Sequence, residues 1–339
     1  MFAYRMKPFF RHGKDTPWGG DGLRRYFHKE IPDEQTGESL EASTFCDPET
    51  HTGESRAEDG RRLSEVAGRK LPLMLKLIDA RETLSVQAHP DDAYAMRYEN
   101  GKRGKTEAWV ILRAEPGAKI VYGFKEGADI GSSASDNIFH AINRCTAEGG
   151  EAQENPSARE KIESSLRWVP VKPGDVFYVP AGMVHAIGAG ILLYEIQQAS
   201  DVTYRLWDWG RLGADGKPRT LHIKQACEVA RHFPFGGPVQ GVRENCAGGL
   251  VTHYLDTERF WLKRFFVDGQ MSFPEGPGFA FLTALCEGSL LYSGDEVPFR
   301  NGDTLFIPEC RRGIEILARG ELLCSGETKG TLEALPPNP

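Results

Sequence analysis

Five side chains between positions 71 and 112 have types and spacing suited to metal or anion chemistry: Ser85, Gln87, His89, Lys105 and Glu107. A strand points alternate side chains to one face, so Ser85, Gln87 and His89 share a surface, and so do Lys105 and Glu107. A neutral imidazole, a carboxylate and a second imidazole make a donor set for a divalent ion that keeps open positions. His185, which follows the turn PAGMV (180–184), can bring the second imidazole. Gln87 either adds an amide oxygen as a fourth ligand or orients His89 from behind. Three cations are candidates: Lys76 inside the apolar LKL (75–77), Lys105 on the strand face of Glu107, and Arg205 after SDVTY (200–204). A buried lysine is costly without a partner, so this set suits a bound anion such as a phosphate, with Ser85 adding a hydroxyl donor. The competing assignment is plain ion pairing with Asp79, Glu195 or Asp201.

These residues need a scaffold that brings distant strands together. The chain has 339 residues, 40% hydrophobic and 26% charged, enough for one large or two moderate units with ample core. Its net charge of −7 argues against nucleic-acid binding, so any anion must be met by local positive charge. No apolar run approaches the roughly 18 residues of a membrane span, and the first 15 residues do not read as a signal peptide. The 7 cysteines are scattered without a CxxC, which suggests neither a disulfide frame nor a cysteine zinc site and fits a reducing cytoplasm.

Along the chain, residues 1–36 read as an irregular lead-in, and a short strand is expected over 37–43, a helix over 61–67 and strands over 118–124, 176–179 and 191–197. Between 125 and 168 the texture changes to Gly, Ala, Ser and Glu, which predicts a helical insert with helices near 136–145 and 158–166. A further helix is expected over 223–231, then a Pro/Gly-rich linker at 234–238, then short strands in turn-bounded spacing. GDVFYVP (174–180) is echoed by GDTLFIP (302–308), which suggests a duplicated β-barrel unit. Gly313 stands where the first copy has His185, so the second unit is expected to be structural. Trp207 and Trp209 read as packing residues. His12, His28, His51, His140, His222, His232 and His253 fall in no defensible pattern.

The motifs LPLMLKL (71–77), LSVQAHPD (84–91), GKTEAW (104–109), VPAGMVHAIG (179–188) and EIQQASDVTYR (195–205) together resemble the type I mannose-6-phosphate isomerases in their short bacterial form. The resemblance covers about 7–230; beyond it only the β pattern agrees. It implies a mainly β, cupin (jelly-roll) catalytic domain over 1–235 and a smaller cupin-like domain over 240–330 without metal ligands. It implies one zinc ion per chain held by Gln87, His89, Glu107 and His185. It implies Arg205 as essential, Lys105 and Glu195 lining the sugar pocket, and Lys76 and Ser85 as phosphate contacts. The implied reaction moves a proton between C2 and C1 of mannose 6-phosphate and fructose 6-phosphate through a cis-enediol. Arginine is no base at neutral pH, so Glu195 is the first candidate base, with a zinc-bound water or a lysine as alternatives. The protein is expected to be cytoplasmic and a monomer, with an oligomer as the alternative. Two rival readings stand beside this one: an isomerase of unphosphorylated mannose or another sugar, and a non-catalytic sugar-phosphate-binding regulatory cupin. Ala108 departs from the family's usual Cys or Met, and the insert carries no family motif.

Overall fold

The computed structural model describes residues 1–48, 50–128, 156–212, 216–234 and 236–328. Two sheets form the first unit. The six-stranded sheet runs in the order Val176–Val179, Glu107–Ala114, Ile191–Gln198, Leu73–Ala80, Thr36–Ala42, Phe9–His12. Facing it is a five-stranded sheet ordered Tyr204–Trp207, Val86–Ala88, His185–Ala186, Lys119–Phe124, Leu166–Pro170.

The central strands of the six-stranded sheet are buried on both faces, so they read as nearly unbroken apolar runs rather than as an alternation. Leu73, Leu75 and Leu77, with Tyr194 and Ile196 beside them, pack against Phe260, Phe279, Phe281 and Phe306 of the second unit. Ile78, Trp109, Ile111 and Leu193 point the other way, into the sandwich, where they meet Ile120 and Tyr122. This inner face changes character along its length. Lys76 pairs in register with Glu195, which pairs with Trp109, and one step further Met74, Gln197 and Glu107 form the next row. One end of the sandwich is therefore filled with hydrocarbon and the other with charge.

The second unit is a ten-stranded sheet that includes Phe260–Ser272 and Glu315–Glu327 paired along their whole length. The strand Tyr4–Lys7, in the expected irregular lead-in, hydrogen-bonds to Thr304–Ile307 of this unit and to Arg56–Ala57. Polar contacts join the two units: Arg69 donates to both oxygens of Glu327 at 2.9 and 2.7 Å, and the buried Tyr194 and Ser325 hydroxyls lie 2.6 Å apart. The internal echo is structural. Gly174 and Gly302, at φ 93° and 90°, turn the chain into the equivalent strands Val176–Val179 and Thr304–Ile307. Of the expected helices, Leu63–Ala67, Pro156–Ser165 and Ile223–Val229 are present; the one near 136–145 lies outside the described residues. Lys105 precedes its expected strand, which starts at Glu107. Trp207 is fully buried, and Trp209 packs on Trp168 with ring centroids 5.7 Å apart. No helix among the described residues is long and apolar enough to cross a membrane.

Asp79, at the hydrocarbon end, holds the start of the helix Gly22–Phe27. Its carboxylate accepts from the Gly22 N–H at 2.6 Å. A Cβ at Gly20 or Gly22 would come within 2.7 or 2.8 Å of that carboxylate, so both positions require glycine. Burial raises the Asp79 pKa from 3.8 to about 6 against the pull of that hydrogen bond. A carboxyl whose folded pKa is raised stabilises the fold below its unfolded pKa and loses that contribution as pH rises through the folded value. Asp79→Asn, which keeps an acceptor for Gly22, is expected to flatten the fall in stability between about pH 4 and pH 6. Urea unfolding at several pH values checks this; parallel curves for the two proteins would disprove it.

Candidate active site

The five-stranded sheet lays Arg205, Gln87, His185 and Tyr122 in one cross-strand row. His89 follows two residues after Gln87 and reaches the same interior. Its Nδ1–H donates to the Val202 carbonyl at 2.9 Å, which leaves Nε2 facing Glu107 Oε2 at 3.6 Å. His185 repeats the device: Nδ1–H donates to the Met183 carbonyl at 2.8 Å, and Nε2 lies 3.2 Å from Glu107 Oε1. The backbone bonds thus choose the tautomer that presents both Nε2 lone pairs inward. The two rings lie 4.8 Å apart between centroids. Burial holds both imidazoles neutral: the His185 pKa is lowered to about 4 and that of His89 well below its ordinary value, with the Lys105 ammonium adding to both.

One ligand atom from each of His89, Glu107 and His185 lies within 4.8 Å of the others, and no other His/Cys/Asp/Glu group among the described residues is so arranged. Both Glu107 oxygens are buried without a directed hydrogen bond, although Lys105 Nζ stands 2.9 Å from Oε2. A buried carboxylate with empty lone pairs between two neutral imidazoles suits a divalent cation. The Gln87 amide lies 3.4 Å from His185 Nε2, and a turn of that amide offers its oxygen to the same point.

This cluster backs a cavity of about 340 Å³ lined by Lys76, Ser85, Gln87, Lys105 and Arg205, among others. Wider grooves of about 700 and 730 Å³ open on the second unit, and none of these ligands line them. Lys76 is held between carboxylates, 3.2 Å from Glu38 and 3.8 Å from Glu195, but not by Asp79 or Asp201. Glu38 also meets Arg11 at 3.2 Å. Burial alone would raise the Glu38 pKa, yet Lys76, Arg11 and Lys105 bring it down to about 2. Burial likewise opposes the charge on Lys105, but Glu107 and Glu195 push its pKa up to about 12. Glu195 lies behind the cavity wall. Trp109 donates to its Oε2 at 2.9 Å, and its Oε1 has no hydrogen-bond partner. Burial, then the neighbouring Glu107, raises its pKa.

Arg205 donates from Nη1 to the Thr220 carbonyl at 2.9 Å, while its Nε is buried without a partner. Burial and the nearby Arg219 lower its pKa to about 10, so it remains charged at neutral pH. Arg11, Glu38, Arg219 and His222 also line the cavity, and no motif in the sequence marks any of the four. Glu38 lies on the strand TGESLEA (36–42), every residue of which is buried, so its inward placement leaves no alternation in the sequence.

Residues 12–105 match the family model for the type I phosphomannose isomerase catalytic domain. Over 321 residues the chain is 34% identical to the mannose-6-phosphate isomerase ManA of Bacillus subtilis, covering 89% of this chain and 92% of that one. It is 31% identical over 309 residues to the mannose-6-phosphate isomerase of Streptococcus mutans, covering 86% and 88%. The chain belongs to the type I phosphomannose isomerase family. The crystal structure of mannose 6-phosphate isomerase from Bacillus subtilis superposes with a TM-score of 0.80 at 29% identity, covering 96% of this chain and 99% of that one. A phosphomannose isomerase from Salmonella typhimurium shares the fold at TM-score 0.71 and 14% identity, over 97% and 100% of the two chains. The mainly β cupin architecture is thus that of the family.

Proposed function

We propose that this chain interconverts mannose 6-phosphate and fructose 6-phosphate with one bound zinc ion. The observation that carries the reading is the Glu107 carboxylate, buried without directed hydrogen bonds between two neutral imidazoles at the back of a cavity rich in cations. Gln87, His89, Glu107 and His185 are the proposed ligands. When bound, the ion supplies a Lewis acid that favours the polarised carbonyl of the open-chain sugar.

The chain's own residues supply the rest. Arg205, whose charged side chain lines the cavity, stabilises the enediolate oxygen as charge builds on it. Glu195 holds the proton in transit between C2 and C1: its Oε1 is free to accept, and burial raises its affinity for a proton. Because Glu195 sits one layer back, Lys76, whose Nζ stands 3.8 Å from its Oε1, gives up an ammonium proton to it as the amine so formed takes the proton from C2, and the two transfers reverse to deliver a proton to C1, with Lys105 lining the sugar pocket beside it. Ser85 and Lys76 contact the substrate, which aligns C1 and C2 with the charged end of the sandwich. The six described cysteines are unpaired, which supports a reducing cytoplasmic setting, and we take the working form to be the monomer.

Metal analysis of the purified protein, paired with a coupled assay for fructose 6-phosphate formation, tests the reading. Activity is expected to disappear with a chelator and to return with zinc. Undiminished turnover in metal-free protein would overturn it.

A further inference from the structure

The cations around the cavity differ in how fully they are neutralised. Those near the metal-ligand cluster are matched: Lys105 by Glu107, Lys76 by Glu38 and Glu195, and Arg11 by Glu38. The wall built from 205–222 is not. There, the carboxylate of Asp208, fully buried, serves Arg219 and Arg211 together, at 2.6 and 4.0 Å. Arg205 stands close enough to Arg219 and Arg211 to be disfavoured by their charge.

The geometry of this wall is fixed from behind. Arg219 donates from Nε and Nη2 to the two Asp208 oxygens at 2.7 and 2.6 Å, which leaves its Nη1 edge for the cavity. The His222 Nδ1 accepts from the Arg205 backbone N–H at 3.3 Å, so its proton resides on Nε2, and the imidazole also lines the cavity. The His222 N–H in turn donates to the Arg205 carbonyl at 2.8 Å, which ties the two segments together. Two fixed donors thus face an enclosed space beside excess positive charge. A neutral sugar hydroxyl has no need of that charge; a phosphate dianion, with three acceptor oxygens, does.

We propose that Arg219 and His222 form the subsite that recognises the phosphate of the substrate, and so select phosphorylated over free hexose. The inference rests on the isomerase reading above. It also moves the phosphate from Lys76, which the flanking carboxylates already occupy, to the opposite wall.

Arg219→Gln keeps a hydrogen bond to Asp208 and removes the charge. In the zinc-loaded full-length protein its KM for mannose 6-phosphate is expected to rise roughly 10- to 100-fold, as for the loss of a charge-assisted hydrogen bond. Inhibition by inorganic phosphate is expected to weaken in parallel, and the loss in kcat/KM to be far larger on mannose 6-phosphate than on mannose. His222→Ala, which leaves the Arg219–Asp208 pair in place, is expected to show the same pattern and serves if the first variant does not fold. Unchanged phosphate inhibition in a folded variant, or equal losses on the two sugars, would overturn the proposal. Failure of the wild-type protein to isomerise mannose 6-phosphate would instead overturn the isomerase reading, before any variant is compared.

Discussion

His89→Ala is expected to lose its metal and its turnover together. The imidazole is one of three buried groups that converge on a single point, and its Nδ1–H bond to Val202 sets which nitrogen faces that point. An alanine there leaves Glu107 with one imidazole instead of two and with Lys105 Nζ 2.9 Å away as its nearest compensating charge. Losing a group that merely supports a ligand costs roughly 10- to 100-fold in metal affinity, and losing the ligand itself should exceed that. Metal content by mass spectrometry after dialysis, measured alongside the coupled assay, decides the matter. A variant that retains a full equivalent of metal would remove His89 from the ligand set. His185→Ala should behave alike, because its ring occupies the mirror position across Glu107.

Arg205→Ala separates binding of the ion from catalysis. Arg205 pairs in register with Gln87, yet it is not among the three grouped ligands, so metal content should stay at the wild-type level. Turnover should drop by roughly 100- to 1,000-fold, the usual cost of removing a donor aimed at developing negative charge. Arg205→Lys should recover only part of this loss, since a single ammonium cannot keep the Thr220 contact and also reach the cavity as the guanidinium does. Turnover within a few-fold of wild type in the alanine variant would exclude the role.

The metal-ligand candidates could be read from the sequence because each lies in a short segment whose neighbours fix its direction. Gln87 sits on a strand, His89 follows it at the proper interval, and His185 comes after a turn. The rest of the cavity was harder to read for physical reasons. Arg11 and Glu38 meet across adjacent strands, and neither segment announces the pairing. Arg219 and His222 lie on a connection whose path is set by Asp208 and by backbone bonds to Arg205, none of which leaves a periodic trace. The position of Glu195 behind the wall depends on which face of Ile191–Gln198 turns inward, and that strand is buried throughout, so it shows no alternation to read. The first strand reads as irregular lead-in because its partner lies at the far end of the sequence.

That far-end pairing bears on how the molecule is made. Tyr4 must find Phe306, roughly 300 residues downstream, and the entropy of closing so long a loop grows only slowly with its length. Order of synthesis matters more: on a ribosome the early strand emerges long before its partner and waits with an open edge. Arg5 and Lys7 place positive charge on that edge, the usual guard against pairing with a stranger in the meantime.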